Sequence, residues 1–304
     1  MRIDLTDTTA AAVRTALMRS SQQLGGLTTG VVLNLVIVTD EARQHDALRA
    51  ASQAGREHPC RVLGVIARDG RSESRLDAEI TVGENAPGQT AVLRLHGELA
   101  EHADSVVMPL LVPDTPVVSW WPGPAPGAPG ADPLGVLAQR RITDAAASPQ
   151  PLRALRDLAA GYRPGDTDLS WARTTPWRSL LAAALDRPRG PVRAATVTAE
   201  PGNPSAELMA AWLEGRLRVP VRRDASGGPG LTCVAFHARD GDISISRPDG
   251  RNATLSTPGE PDRHVALHRR ETADLLAEEL RRLDPDEVYG EALAAAAARP
   301  AEQS

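Results

Sequence analysis

Hydrophobic and polar positions along this chain lay out two successive β–α–β patterns. The stretch VVLNLVIVTD (31–40) is a β-branched run, apolar enough for a strand buried on both faces. The segment 41–54, capped by Asp40, reads as a helix, and RVLGVIA (61–67) as the next strand. That order predicts parallel pairing. Ahead of it, an amphipathic helix is predicted over 8–24, with Thr8 or Thr9 near its N-cap and Gly25-Gly26 as its stop. RLDAEITVG (75–83) and TAVLRLHG (90–97), separated by Asn85, Pro87 and Gly88, predict an antiparallel hairpin. A short helix near 98–106 then leads to a strand at 116–121 ending in Trp120 and Trp121. Neighbouring strand residues point to opposite faces. One tryptophan is therefore expected in the core, and the other over a loop, a domain seam or a partner.

From 122 to 133 the chain is mainly Pro, Gly and Ala and cannot be helical. Short helices are predicted over 134–160. In GDTDLSWARTTPWRSLLAAALD, Thr175 and Pro176 suit the first positions of a helix. Its apolar stripe is Trp177, Leu180, Leu181, Ala184 and Leu185. The opening plan then recurs. VRAATVTAE (192–200) is a strand, Asn203-Pro204 starts a helix bearing Leu208, Met209 and Trp212, and VPVRR (219–223) is the next strand. DASGGPG (224–230) reads as a hairpin turn rather than a phosphate loop, because a strand and not a helix follows it. A meander follows at 231–236, 242–247, 253–257 and 263–268, and a last helix at 270–283.

The predicted class is α/β with mixed parallel and antiparallel sheets, in two domains. Each is a βαβ unit extended by antiparallel strands and flanked by helices. The expected boundaries are an N-terminal α/β domain over 1–135, a helical and loop connector over 136–187, a C-terminal α/β domain over 188–293 and an Ala-rich frayed tail over 294–304.

Composition narrows the chemistry. There is no lysine, so all 34 Lys+Arg residues are arginine, and Schiff-base, Walker-type and general-base lysines are excluded. A net charge of −5 without a basic block argues against a nucleic-acid partner. The first residues lack a signal-peptide pattern and no run reaches membrane length, so a soluble cytoplasmic protein is expected. Motif by motif, there is no G-x-G-x-x-G, no G-x-S-x-G, no H-E-x-x-H and no C-x-x-C. No catalytic residue, metal site or cofactor is expected from these motifs. Cys60 and Cys233 read as unremarkable thiols in a reducing compartment.

What remains is a set of contact residues. Trp and Arg are the types most enriched at binding hot spots. In a chain with five Trp, two Tyr and one Phe, the candidates are Trp120, Trp121, Trp171, Arg173, Arg140 and Arg141. Trp171 reads either as a plug in the core or as part of a contact surface, whereas Trp177 and Trp212 read as core.

Long stretches of the chain resemble one known family. RIDLTDTTAAAVRTAL, VVMPLLVPDTPVVSWWP, DPLGVLAQRRITD, GDTDLSWARTTPWRSLLAAALD and HRRETADLLAEELRRLDPDEVYGEAL are similar, in order over about residues 1–293, to the glucose-6-phosphate dehydrogenase assembly protein (OpcA) family in its actinobacterial form. The resemblance implies a non-enzymatic protein that assists assembly of glucose-6-phosphate dehydrogenase and activates it. It brings no catalytic residues, and the cysteine-based redox control of cyanobacterial relatives does not carry over to Cys60 or Cys233. The alternative class is a small-molecule sensor binding a sugar phosphate or nucleotide, since strand-end loops and arginines suit such ligands.

Overall fold

The computed structural model describes residues 1–23, 30–68, 73–82, 89–185 and 190–299. The predicted stop at Gly25-Gly26, the hairpin turn at Asn85, Pro87 and Gly88, and residues 300–304 of the tail lie outside the described residues. In chain order the first elements are β1 (Arg2–Thr8), α1 (Ala10–Gln23), β2 (Leu33–Thr39), α2 (Gln44–Ala54) and β3 (Cys60–Ala67). Next come β4 (Arg75–Val82), β5 (Gln89–His96), α3 (Ala103–Val107), β6 (Val117–Trp120), α4 (Pro133–Val136) and β7 (Arg140–Thr143). Then follow α5 (Pro151–Ala160), β8 (Asp166–Asp168), α6 (Leu169–Ala172), α7 (Thr175–Leu185), β9 (Val192–Ala199) and α8 (Pro204–Leu217). The chain closes with β10 (Val221–Ala225), β11 (Leu231–Ala238), β12 (Ile243–Ser246), β13 (Asn252–Ser256), β14 (Arg263–Ala266), α9 (Thr272–Leu280) and α10 (Glu287–Ala298).

These elements form two compact units, and neither is a continuous piece of chain. The first comprises Met1–Asp144, Gly165–Thr167 and Thr272–Pro285, and the second Ala145–Pro164, Asp168–Glu271 and Asp286 onward. The segment read as a connector, 136–187, is thus shared between them.

In the first unit one sheet has the order β1-β4-β5-β3-β2-β6-β7-β8. The strands from β5 to β7 in that order are parallel, while β4 and β1 add antiparallel on the β5 side. The predicted β2–α2–β3 unit is present with Leu35 opposite Val62. β2 is a buried interior strand for most of its length, which is why it reads as one apolar run. From β2 the chain winds outward to β3 and β5, then returns to the other side of β2 for β6 and β7. The winding direction therefore reverses between β2 and β6.

Several sequence readings are corrected here. The chain opens with strand β1, which sequence reasoning missed because an edge strand buries only part of its pattern (Arg2, Asp4, Thr6 and Asp7 are exposed). Thr9 does cap the helix that follows, accepting the Ala12 N–H at 3.2 Å. Asp40 accepts the Arg43 N–H at 2.9 Å and closes a turn over 41–43, so α2 begins at Gln44. Strands β7 and β8 were also missed, because their burial comes with charge pairing and not with apolar side chains. The helix predicted at 270–283 is α9, and it belongs to the first unit, packed on α2, rather than closing the second.

The second unit holds a sheet of order β10-β9-β11-β12-β13-β14. β9 and β10 are parallel and joined by α8, whose N-cap Asn203 accepts the Ala206 N–H. The antiparallel meander follows as predicted. Residues 224–230 are not a hairpin turn, because β9 lies between β10 and β11; the segment carries the chain past β9 to its other side. One face of the sheet is covered by a core that includes Trp177, Leu181, Met209, Leu213, Val234 and Phe236. The Arg178 N–H bonds to the Thr174 carbonyl, placing the cap of α7 one residue before Thr175. The Ala-rich tail is helical as far as Ala298 within α10, with Ala296 buried.

Candidate functional site

The six candidate contact residues do not form one surface. Trp120 and Trp121 are 0% and 2% exposed, and β6 is an interior strand buried along its length. Neither ring stands on the surface. The Trp121 N–H donates to the Ile142 carbonyl at 2.9 Å, continuing the β6–β7 ladder, and the Trp120 indole nitrogen has no hydrogen-bond partner among the described residues.

Arg140 and Arg141 are adjacent on β7 and both are buried. The Arg140 guanidinium is ion-paired with Glu279 of α9 and donates to the Asp284 carbonyl at 2.8 Å. Burial pushes the Glu279 carboxyl above its ordinary pKa, and the charge of Arg140 opposes that rise. Arg141 is ion-paired with Asp166 of β8 and donates to the Ala138 carbonyl at 2.7 Å. β8 can come this close because Gly165 (φ +96°) precedes it, where a Cβ would stand 2.4 Å from the Gln139 carbonyl oxygen. The two arginines are thus internal clasps on segments that return to the first unit from later in the chain.

Trp171 sits on α6 in the second unit and is 1% exposed. Its indole N–H donates to Asp286 at 2.8 Å, and the Arg178 guanidinium lies 3.6 Å from its ring centroid. Tyr289 packs beside it with ring centroids 6.1 Å apart. Of its two readings, the core plug describes its place. Arg173, half-buried at the end of α6, is the one candidate not enclosed.

Two other arrangements bear on chemistry. His237 joins Asp242 through Nδ1 and Thr196 through Nε2, each at 2.8 Å. That is the order of a hydroxyl–imidazole–carboxylate relay. Thr196, however, lies inside β9, which is laddered to β10 on one side and β11 on the other. The cluster ties β9 to β11. In the first unit, the turn from β2 into α2 is Asp40-Glu41-Ala42-Arg43, without the glycines that let a dinucleotide approach. Glu41 there accepts from Arg94 at 2.7 Å and from Gln44 at 2.6 Å, and is ion-paired with Arg68. Burial alone would raise its pKa, but hydrogen bonds and charge from Arg94 and Arg68 bring it below the ordinary value. Among the described residues, no group of three His, Cys, Asp or Glu is placed to hold a metal ion.

The second unit carries an open cleft of about 430 Å³ at the carboxyl ends of β9 and β10. α5 and α10 contribute its apolar walls, Leu152, Leu155, Ala296 and Ala297. Its polar side chains are Glu200, Asn203, Glu207 and Asp224, with Arg156, Arg223 and Arg299. Arg223 is ion-paired with Glu207, and Arg299 donates to Glu214 and to the Val221 carbonyl, both at 2.8 Å. The clue in the sequence was the second β–α–β pattern itself, since open α/β folds bind at strand carboxyl ends.

A family model described as the glucose-6-phosphate dehydrogenase subunit N-terminal domain matches residues 51–160, and one described as its C-terminal domain matches residues 164–293. The chain belongs to the glucose-6-phosphate dehydrogenase subunit (OpcA) family. No curated protein matches it. Among solved structures, an oxidoreductase from Sinorhizobium meliloti is similar with a TM-score of 0.44 and 11% identity, over 86% of each chain. The UDP-N-acetylglucosamine 3-dehydrogenase GnnA from Acidithiobacillus ferrooxidans has a TM-score of 0.34 and 12% identity, over 87% of this chain and 96% of its own.

In this member of the OpcA family the cysteines are protected. Cys60 is 0% exposed, and burial pushes its thiol up to about 12; half-buried Cys233 is raised for the same reason. The thiolate is the reactive form. Iodoacetamide at pH 8 is therefore expected to leave Cys60 unmodified in the folded chain and to label it once urea unfolds the protein, as read by peptide mass spectrometry. The unfolded thiol ionises near 9 while the folded one keeps its proton to about 12. Stability contributed by this group is present below pH 9 and is lost as pH rises through that window.

Proposed function

We propose that this chain is a non-catalytic partner of glucose-6-phosphate dehydrogenase that binds it and favours its active, assembled state. In that role it supports NADPH production in the oxidative pentose phosphate pathway of the cytoplasm. The pair of family matches carries this reading. The glycine-free β2–α2 turn agrees with it. A partner activates only by binding the active state better than the inactive one, and a tenfold preference is about 1.4 kcal/mol.

Contact on this scale needs exposed apolar groups. Among the described residues, the large apolar side chains more than half exposed are Met1, Met18, Val32, Met108 and Val136, all in the first unit. α1, which carries Met18, packs against the turn at Met108–Leu110. Methionine adapts its shape to a partner more readily than other apolar side chains do. Arg173 is the proposed contact of the second unit. Trp120, Trp121, Trp171, Arg140 and Arg141 serve the interaction by holding their units in shape.

The test titrates purified glucose-6-phosphate dehydrogenase with this chain and weighs the mixtures by light scattering. Saturable activation with a co-eluting complex is expected, and a Met18→Gln, Met108→Gln chain should bind at least tenfold more weakly with unchanged circular dichroism. No complex and no change in rate with the unaltered chain would end this reading. A second reading, a small-molecule-binding protein, is favoured by the cleft of the second unit.

A further inference from the structure

We propose that the cleft at the carboxyl ends of β9 and β10 binds a small polyhydroxylated anion of the sugar phosphate class. This deepens the second reading above and rests on it. The volume, about 430 Å³, lies within the usual range for small-molecule sites. The apolar walls from α5 and α10 suit the carbon skeleton of a compact ligand.

The polar groups choose the class. Three carboxylates (Glu200, Glu207, Asp224) and three guanidiniums (Arg156, Arg223, Arg299) line the cleft, so its formal charge is balanced. A ligand with several phosphates would meet the carboxylates and be repelled. An apolar ligand would leave these charged groups without hydration or partners. Ionised carboxylates accept hydrogen bonds and cannot donate them, so they suit a ligand rich in hydroxyls. Asp224, near the end of the second strand of a β–α–β unit, is ion-paired through Oδ2 with exposed Arg222 at 2.9 Å, and it stands where such folds place an acid against sugar hydroxyls.

The single anionic group has one seat. The N-terminus of α8 is already closed by the Asn203 side chain, which also donates to Glu200 at 3.0 Å. Arg223 is held by Glu207, and Arg299 by Glu214 and the Val221 carbonyl. The side chain of Arg156, exposed on α5, has no hydrogen bond or ion pair among the described residues. Its planar fork matches a phosphate bidentately. The sugar then lies inward, against the carboxylates.

Calorimetry on the isolated full-length chain tests this, with glucose 6-phosphate and ribose 5-phosphate as probes and glucose and inorganic phosphate as their halves. At least one sugar phosphate is expected to bind, with each half binding at least tenfold more weakly. Arg156→Gln should weaken the sugar phosphate at least tenfold and leave glucose unchanged, and Asp224→Asn should weaken both. Arg156 is exposed and Asp224 only half-buried, and circular dichroism checks the fold. Amide NMR shifts should fall on residues 199–207 and 223–225. Absence of binding by both sugar phosphates, affinities unchanged in both variants, or shifts confined to other residues overturns the assignment. No dehydrogenase is present, so failure here and failure of the complex are read separately.

Discussion

Arg140→Ala is expected to destabilise the first unit by about 3–5 kcal/mol, because it strands a buried carboxylate. The side chains of Arg140 and Glu279 are 4% and 6% exposed, and the arginine also satisfies the Asp284 carbonyl. Removing the guanidinium leaves Glu279 without its counter-charge, and the group must take a proton or open α9 to water. Urea unfolding followed by tryptophan fluorescence would read the loss. Glu279→Gln should cost less, since an amide can still accept from Arg140. A double replacement, Arg140→Met with Glu279→Leu, should recover most of the stability, because two apolar side chains of similar volume need no pairing. A loss below about 1 kcal/mol for Arg140→Ala would place the pair in the range of water-screened surface bridges and would refute the clasp.

Trp171→Ala should be comparably costly, about 3–5 kcal/mol, for a different reason. The indole fills a cluster with Leu155, Leu158, Leu208 and Tyr289, and its N–H is bonded to Asp286. Truncation leaves a large cavity, one Asp286 oxygen without its indole donor and an Arg178 without the ring beneath it. Trp171→Phe keeps most of the volume and should cost markedly less. Arg173→Ala is the contrasting case, with stability changed by under about 1 kcal/mol and the effect falling on affinity for the dehydrogenase. If Trp171→Ala kept full stability and lost only dehydrogenase binding, the core reading of this tryptophan would be wrong.

The elements legible in the sequence are those stabilised locally or by continuous apolar runs. β2 and β3 are β-branched strands buried on both faces, and α8 announces itself through Asn203-Pro204. β7 and β8 are short and polar, and nothing near Arg140 in the chain hints at a carboxylate 139 residues later. For the same reason a rule that takes tryptophan and arginine as surface anchors fails here. A chain with eight aromatic residues uses its largest side chains as fillers, and its two adjacent arginines as internal ties. The cleft was half legible, since the second β–α–β pattern foretold a strand-end site but not the helices that wall it.

The interleaved course of the chain sets an order of events during synthesis. A ribosome releasing this protein delivers β1 to β7 early, but β8 must follow and α9 arrives only after the whole meander. Asp166 reaches Arg141 with β8, but until α9 arrives Arg140 has no acid to meet, and the face of α2 that receives α9 is bare. The unit that begins first is finished last, and a nascent chain cut short anywhere before residue 280 exposes that incomplete seam to chaperones and proteases. Quality control of this protein is thereby tied to a helix near its carboxyl end.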